Sequence, residues 1–98
     1  MEQFFPKVLQ AVAGENYTVY AYMNDGTVRL VDMKPLIAQG GIFEQLADDD
    51  FFVSRLTVLN DTVAWDLTGA HDPAVCIDID PFTVAEMPII ADPLETVG

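Results

Sequence analysis

With 98 residues, of which 51% are hydrophobic, the chain has enough apolar material for one domain with a single core. Its formal net charge of −12, from 16 acidic and 4 basic residues, argues against direct binding of nucleic acid or anionic lipid, because both need clustered Lys and Arg. The single cysteine excludes an internal disulfide and a zinc site of the CxxC type. We therefore expect a cytoplasmic protein with no secretory signal, no membrane contact and a preference for basic protein partners.

The first predicted strand covers residues 7–13 and leads through a turn at residues 14–16 into residues 17–32, around which the fold is organised. Tyr, Val and Thr dominate both halves of that stretch, and Asp25-Gly26 between them predicts a two-residue type I′ hairpin turn. Such a turn sorts the side chains of the two strands onto two faces. The predicted core face carries Val19, Ala21, Met23, Val28 and Leu30. The opposite face carries Tyr20, Tyr22, Arg29 and Val31.

A helical segment is predicted to begin at Lys34 and Pro35, since Pro suits the first position of a helix. The pair Gly40-Gly41 leaves two alternatives, a helix that ends at Gln39 or two short helical turns. In either case, short helical structure follows the first hairpin.

A second hairpin is predicted after the three consecutive Asp residues 48–50, which are typical of a loop. Its strands cover residues 53–59 and 62–66. Asn60 and Asp61 between them tolerate the left-handed conformation that a tight turn needs. The residues predicted to point inward are Leu56, Val58, Val63 and Trp65.

The last predicted helix begins at Asp80, a favourable N-cap, with Pro81 at the first helical position, and it ends before Pro88. We expect residues 1–87 to form one domain and residues 88–98 to form an irregular tail. The predicted fold class is α+β, an antiparallel meander of about five strands in two hairpins with short helices on one face.

Short motifs along the chain follow the order seen in a known bacterial family. They are Asp25-Gly26, Val31-Asp32, Pro35-Leu36, Phe51, Trp65, Asp78-Ile79-Asp80-Pro81 and Thr83-Val84. On these motifs the chain resembles domain-of-unknown-function family 2442 (DUF2442) over nearly its whole length. The resemblance implies a small α+β domain and brings no catalytic residue or cofactor with it. It also implies an antitoxin-like or regulatory role, because members resemble fusions to helix-turn-helix modules or the partner half of toxin–antitoxin-like gene pairs.

Three features depart from the pattern of that family. Lys34 stands where a capping Ser or Thr is common, and the segment after Trp65, residues 66–77, is longer and looser. No helix-turn-helix module follows, so a regulatory role would require a separate DNA-binding partner.

No constellation of residues predicts catalysis or metal binding. The Asp residues 48–50 lack the spacing, central Gly and terminal Glu of a calcium-binding loop. His71 beside Asp72 is a candidate general base with an orienting acid. The sequence offers no nucleophile for it, because Ser54, the sole Ser, falls in a predicted strand. Cys76 is predicted to pack as a small hydrophobe. We therefore expect no catalytic residue, no metal and no cofactor.

Four aromatic or basic residues are candidate contacts for a partner or ligand: Tyr20, Tyr22, Arg29 and Trp65. The leading hypothesis is a non-enzymatic protein-interaction module that binds a basic protein through an exposed sheet face or edge. The alternative is a small-ligand pocket around Trp65, with Tyr20 and Tyr22, although a place in the core is the first expectation for Trp65. A hydrolase that uses His71 is a third hypothesis. A homodimer through an edge strand is a further option, which the negative charge of each subunit opposes at low salt.

Overall fold

Two antiparallel sheets carry the fold of residues 5–92, the part of the chain that the computed structural model describes. The first sheet has the strand order β1 (Val8–Ala13), β2 (Thr18–Met23), β3 (Val28–Asp32) and β7 (Ile89–Ile90). The second sheet has the order β4 (Leu56–Leu59), β5 (Thr62–Asp66) and β6 (Cys76–Asp78). The helices are α1 (Lys34–Gln39), a 3₁₀ helix (Gly41–Ala47), α2 (Asp49–Arg55) and α3 (Pro81–Ala85). The predicted α+β class is confirmed, with two sheets in place of one meander.

The β2–β3 hairpin has a three-residue loop, so the predicted two-residue type I′ turn is wrong. The backbone N–H of Met23 donates to the carbonyl of Thr27 at 2.9 Å and closes the loop one residue earlier than expected. Gly26 has a φ of +87°, whereas Asp25 keeps a negative φ. The Asp25 carboxylate instead accepts hydrogen bonds from the Thr27 backbone N–H at 2.9 Å and from its hydroxyl at 2.6 Å. The side chain of Asp25 thus stabilises the longer loop and shifts the pairing by one residue.

This shift exchanges the two faces of β3. Leu30 pairs with Tyr20, and Val31 pairs with Val19. Val31 is therefore on the core face and fully buried, while Arg29 lies opposite Ala21. The predicted placement of Val28 and Leu30 on the core face, and of Arg29 and Val31 on the other, is wrong, although Val28 is buried on the face that it occupies. Because side chains alternate along a strand, a slip of one residue moves each of them to the opposite face.

Residues 49–55 form helix α2, although the sequence analysis placed the start of a strand at residue 53. Asp48 caps this helix, since its carboxylate accepts hydrogen bonds from the backbone N–H groups of Asp50 at 3.0 Å and Phe51 at 3.3 Å. Acidic residues in the first turn and Arg55 in the last turn also suit the helix dipole. The three consecutive Asp residues are therefore a helix start rather than a loop that leads into a strand.

The turn of the second hairpin and the two helical segments between residues 34 and 47 agree with the sequence analysis. Asn60 and Asp61 both have positive φ, 55° and 61°, as a two-residue type I′ turn requires. The first helix ends at Gln39 and a separate 3₁₀ helix follows, so the Gly40-Gly41 pair divides the segment. The four predicted inward residues of the hairpin are buried or packed against the core, namely Leu56, Val58, Val63 and Trp65.

The end of the described chain joins the first sheet. Asp80 caps α3 as expected, since its carboxylate accepts a hydrogen bond from the Phe82 backbone N–H at 2.8 Å. Ile89 and Ile90 then pair with β3 as a short edge strand, so the predicted irregular tail is wrong for these two residues. Residues 93–98 of that tail lie outside the described residues. Pro88 does not prevent pairing, because it precedes the strand and the strand is at an edge.

One hydrophobic core joins the two sheets and the helices. Its buried members are Val8, Val19, Ala21, Met23, Val31, Met33, Leu46, Phe52, Val63, Trp65, Ile77, Ile79 and Val84. The middle strand of the second sheet, β5, is buried along its whole length, including its polar ends Thr62 and Asp66. The Thr62 hydroxyl donates to the Ile79 carbonyl, which satisfies one of these buried polar groups.

Candidate functional site

The face of the first sheet that points away from the core forms an extended apolar surface. Strand pairing aligns Gln10, Tyr22, Val28 and Ile90 in one row, and Val12, Tyr20 and Leu30 in the next. Since directly opposed residues share a face, these two rows lie side by side on the same surface. We call this surface the outer face and define it by Val12, Tyr20, Tyr22, Val28, Leu30 and Ile90.

Apart from Val28, which is buried, the side chains of the outer face are half-exposed and lie outside the hydrophobic core. The helices instead contribute their apolar residues to the core, including Leu36, Leu46 and Phe52. The helices therefore pack on the inner side of the sheet. On the outer face, Tyr20, Tyr22 and Leu30 remain partly exposed to solvent.

Carboxylates lie at two ends of the outer face. The Tyr22 hydroxyl donates to Asp92 Oδ1 at 2.6 Å, which brings this acid beside one end. Asp32 pairs with Thr18 at the other end, where it forms an exposed ion pair of 3.0 Å with Lys34. The outer face therefore has an apolar centre and one carboxylate at each end, of which Asp32 is paired with Lys34.

Arg29, one of the predicted contact residues, does not lie on the outer face. It pairs with Ala21, and its guanidinium donates to the Met87 carbonyl at 2.8 Å and to the Thr27 hydroxyl at 3.4 Å. The predicted contact of Arg29 with the ring of Tyr22 requires the register that the structure excludes. Arg29 instead holds the segment before β7 against β3.

Trp65 is fully buried in the core, where its indole N–H donates to the Phe52 carbonyl at 3.0 Å. The rings of Phe52 and Trp65 are 5.3 Å apart, and Tyr17 packs edge-on against Phe52 at 5.4 Å. Because Tyr20 points to the outer face, the sheet separates it from Trp65. The structure therefore does not bring the predicted aromatic pocket residues together, and it places Trp65 in its expected core role.

A surface cleft of about 410 Å³ lies where α2 and β4 meet the loop after β5. The residues that line it are Ser54, Arg55, Leu56, Thr57, Asp66, Gly69 and His71. Sequence reasoning singled out His71 and noted Ser54, but it missed Arg55 and Asp66 as site residues. The run Asp66-Leu67-Thr68-Gly69 does predict a turn. An Asp side chain commonly accepts hydrogen bonds from the backbone N–H groups two and three residues later, here those of Thr68 and Gly69.

Asp66 organises the loop that forms one wall of the cleft. Its buried carboxylate accepts hydrogen bonds from the backbone N–H groups of Thr68 at 3.0 Å, Gly69 at 3.1 Å and His71 at 3.0 Å. The Thr68 hydroxyl adds a fourth at 3.3 Å. Burial raises the pKa of the Asp66 carboxyl, but these hydrogen bonds outweigh it, and the pKa lies below its ordinary value. The ionised form of Asp66 therefore holds the loop.

Acidification is expected to weaken the folded state through Asp66. The folded pKa lies below the unfolded one, so this stabilisation is complete above the unfolded value of about 3.9 and is lost as the pH falls through the folded value. In urea titrations between about pH 5 and about pH 2, the unfolding free energy of Asp66→Asn should depend less steeply on pH than that of the wild type. The difference between the two slopes should correspond to a fraction of one proton bound on unfolding. The control is Asp49→Asn, which removes an exposed carboxylate, and an equal change in both variants would contradict the prediction.

The cleft brings together Ser54, His71 and Asp66 without the contacts of a catalytic triad. His71 Nδ1 is 3.9 Å from Asp66 Oδ2, which is too long for a hydrogen bond. Within residues 5–92, Ser54 and His71 share no hydrogen bond. Burial, together with the nearby carboxylate of Asp78, raises the pKa of the Cys76 thiol, so the neutral thiol prevails at physiological pH. Over the same residues, no group of three or more metal-ligating side chains lies together.

Comparison with known families agrees with the order of motifs along the chain. A family model described as a protein of unknown function (DUF2442) matches residues 8–86, which is most of the chain. No curated protein and no solved structure matches. None of the helices within residues 5–92 is long and apolar enough to cross a membrane.

Proposed function

Since the chain belongs to the DUF2442 family, whose description names no activity, we propose a function from its surface: a cytoplasmic protein-interaction module that binds a basic protein through the outer face. One observation carries this proposal. Tyr20, Tyr22 and Leu30 are half-exposed beside one another on a face that lies outside the core. Partly exposed aromatic and aliphatic residues in one patch are typical of binding surfaces, where Tyr supplies much of the contact energy.

The charge of the chain supports a basic partner over a second copy of the same chain. Two copies would each bring a net charge of −12, and their repulsion opposes association. Asp92 and Asp32 lie at the two ends of the outer face, where they are in position to contact Lys or Arg at the edge of an apolar interface. Peripheral charge pairs of this kind mainly raise the association rate and the sensitivity to salt. An antitoxin-like or regulatory protein is one form that such a module takes.

The test is capture of a partner from the native lysate with tagged protein at low and high salt, followed by calorimetry with the purified partner. We expect one stoichiometric basic protein that is lost at high salt. Tyr20→Ser and Leu30→Ser remove opposed side chains at the centre of the outer face, and each should weaken binding about tenfold or more. Circular dichroism spectra of both variants establish that they remain folded.

Val53→Ser and Phe82→Ser are matched controls, because they remove exposed apolar side chains from helices α2 and α3. Both should bind like the wild type. Partner affinity that is insensitive to salt, or that falls only in the control variants, would contradict the proposal. A folded protein that captures no partner would also count against it.

A further inference from the structure

Within residues 5–92, Arg55 is the basic residue whose side chain is half-buried and yet has no hydrogen-bond or ion-pair partner. Arg29 donates to a backbone carbonyl, and Lys34 pairs with Asp32 at 3.0 Å. The side chain of Lys7 is exposed. Arg55 is half-buried, and its guanidinium makes no hydrogen bond or ion pair with any residue between 5 and 92. In a chain with 16 acidic and 4 basic residues, this guanidinium remains available to form a charge-assisted hydrogen bond with a ligand.

The guanidinium of Arg55 extends over the loop that Asp66 holds. Its Nη1 atom is 3.4 Å from the position that a Cβ on Gly69 would occupy. Gly69 has a φ of +80°, so the turn that lets the backbone pass under the guanidinium favours glycine. The position of Arg55 in the last turn of α2 suits the helix dipole, but that does not explain why the side chain reaches the loop.

Besides Arg55, the cleft contains further side chains that can donate hydrogen bonds. The hydroxyls of Ser54 and Thr57 line the cleft and have no hydrogen-bond partner within the described residues. The imidazole of His71 is 64% exposed in the same cleft. The Asp66 carboxylate accepts four hydrogen bonds from its own loop, so its oxygens are already occupied as acceptors. Donors beside a forked guanidinium match an oxyanion, because carboxylate and phosphate accept two parallel N–H bonds from Arg.

We infer that this cleft binds a small molecule through an oxyanion group, a carboxylate or a phosphate, held by the Arg55 guanidinium with donors from Ser54, Thr57 and His71. A volume of about 410 Å³ is larger than the oxyanion itself and leaves room for the body of a small metabolite. The inference is independent of the protein-interaction proposal, since none of these residues belongs to the outer face.

The test uses His71 as a reporter, because it is the single histidine and its imidazole resonances need no assignment. Inorganic phosphate and acetate are titrated separately into the protein at constant ionic strength, and the imidazole shifts are followed by NMR. We expect a saturable shift with at least one of the two anions. Arg55→Gln should weaken that binding about tenfold or more, and Arg55→Lys should give an intermediate loss because it keeps the charge without the fork.

Lys7→Gln is the matched control, since it removes the same charge from an exposed position outside the cleft, and it should bind like the wild type. Saturation by phosphate alone assigns a phosphorylated ligand, by acetate alone a carboxylated one, and by both an unselective oxyanion site. Linear shifts that do not saturate, or equal affinity in the folded Arg55→Gln protein, would overturn the inference. Tyr20→Ser should leave anion binding unchanged, so failure of either proposal is recognised separately.

Discussion

Trp65→Ala should destabilise the protein by about 3–5 kcal/mol, a large part of the stability of a domain of this size. The indole is fully buried in contact with Phe52, so its removal leaves a cavity between the second sheet and α2. It also leaves the Phe52 carbonyl without the donor that now lies 3.0 Å away. The measurement is urea unfolding followed by circular dichroism, because the variant loses the only Trp and with it the fluorescence signal.

Trp65→Phe separates the two contributions. The phenyl ring fills much of the space but cannot donate to the Phe52 carbonyl, and we expect a smaller loss of about 1–3 kcal/mol. Phe82→Ala is the control, since Phe82 is 54% exposed and its loss should change stability by about 0.5 kcal/mol or less. An equal effect of Trp65→Ala and Phe82→Ala would mean that Trp65 is not the centre of the core.

Gly14→Ala should cost about 1–3 kcal/mol, because the added methyl group has no room in the β1–β2 turn. Its Cβ would lie 2.5 Å from Thr18 Oγ1 and 2.9 Å from Tyr20 Cε2. The Thr18 hydroxyl donates to the Glu15 carbonyl at 2.7 Å, so it cannot rotate away without losing that bond. The backbone N–H of Gly14 donates to the Thr18 carbonyl at 2.8 Å, which holds the two residues together. Urea unfolding measures the loss.

A double variant tests whether the clash with Thr18 is the cause. Thr18→Ala removes the nearest atom, so Gly14→Ala combined with Thr18→Ala should lose less stability than the sum of the two single variants. Glu15→Ala, an exposed change in the same turn, should have an effect of about 0.5 kcal/mol or less. Additive losses in the double variant would show that the clash with Thr18 is not the cause, which leaves the contact with Tyr20.

The turn of the second hairpin and the cap of the last helix were predictable because each depends on neighbouring residues. Asn60 and Asp61 adopt the left-handed conformation, and Asp80 caps α3, as their side chains favour. The same reasoning failed at Asp48, whose capping of α2 was hidden by the β-prone residues Phe51 and Phe52 that follow it. Burial of Phe52 against Trp65 outweighs the strand preference of this stretch.

The candidate surfaces were less predictable, because they depend on register and on contacts distant in sequence. Tyr20 and Tyr22 share the outer face as expected, but a single added loop residue moves Arg29 to the opposite face. The cleft joins Arg55 to a loop whose geometry Asp66 controls, across more than ten positions of the chain.

By itself, the sequence determined the family, the α+β class, the hairpin at Asn60 and the last helix cap, because local hydrogen bonding and hydrophobic alternation suffice for these. Only the tertiary structure decided the register of β2 against β3, the second sheet and the pairing of Ile89 and Ile90 at the edge of the first. The observed register, which the Asp25–Thr27 hydrogen bonds favour locally, buries Val31, and the second sheet buries Trp65, in one shared core that no short stretch of sequence specifies.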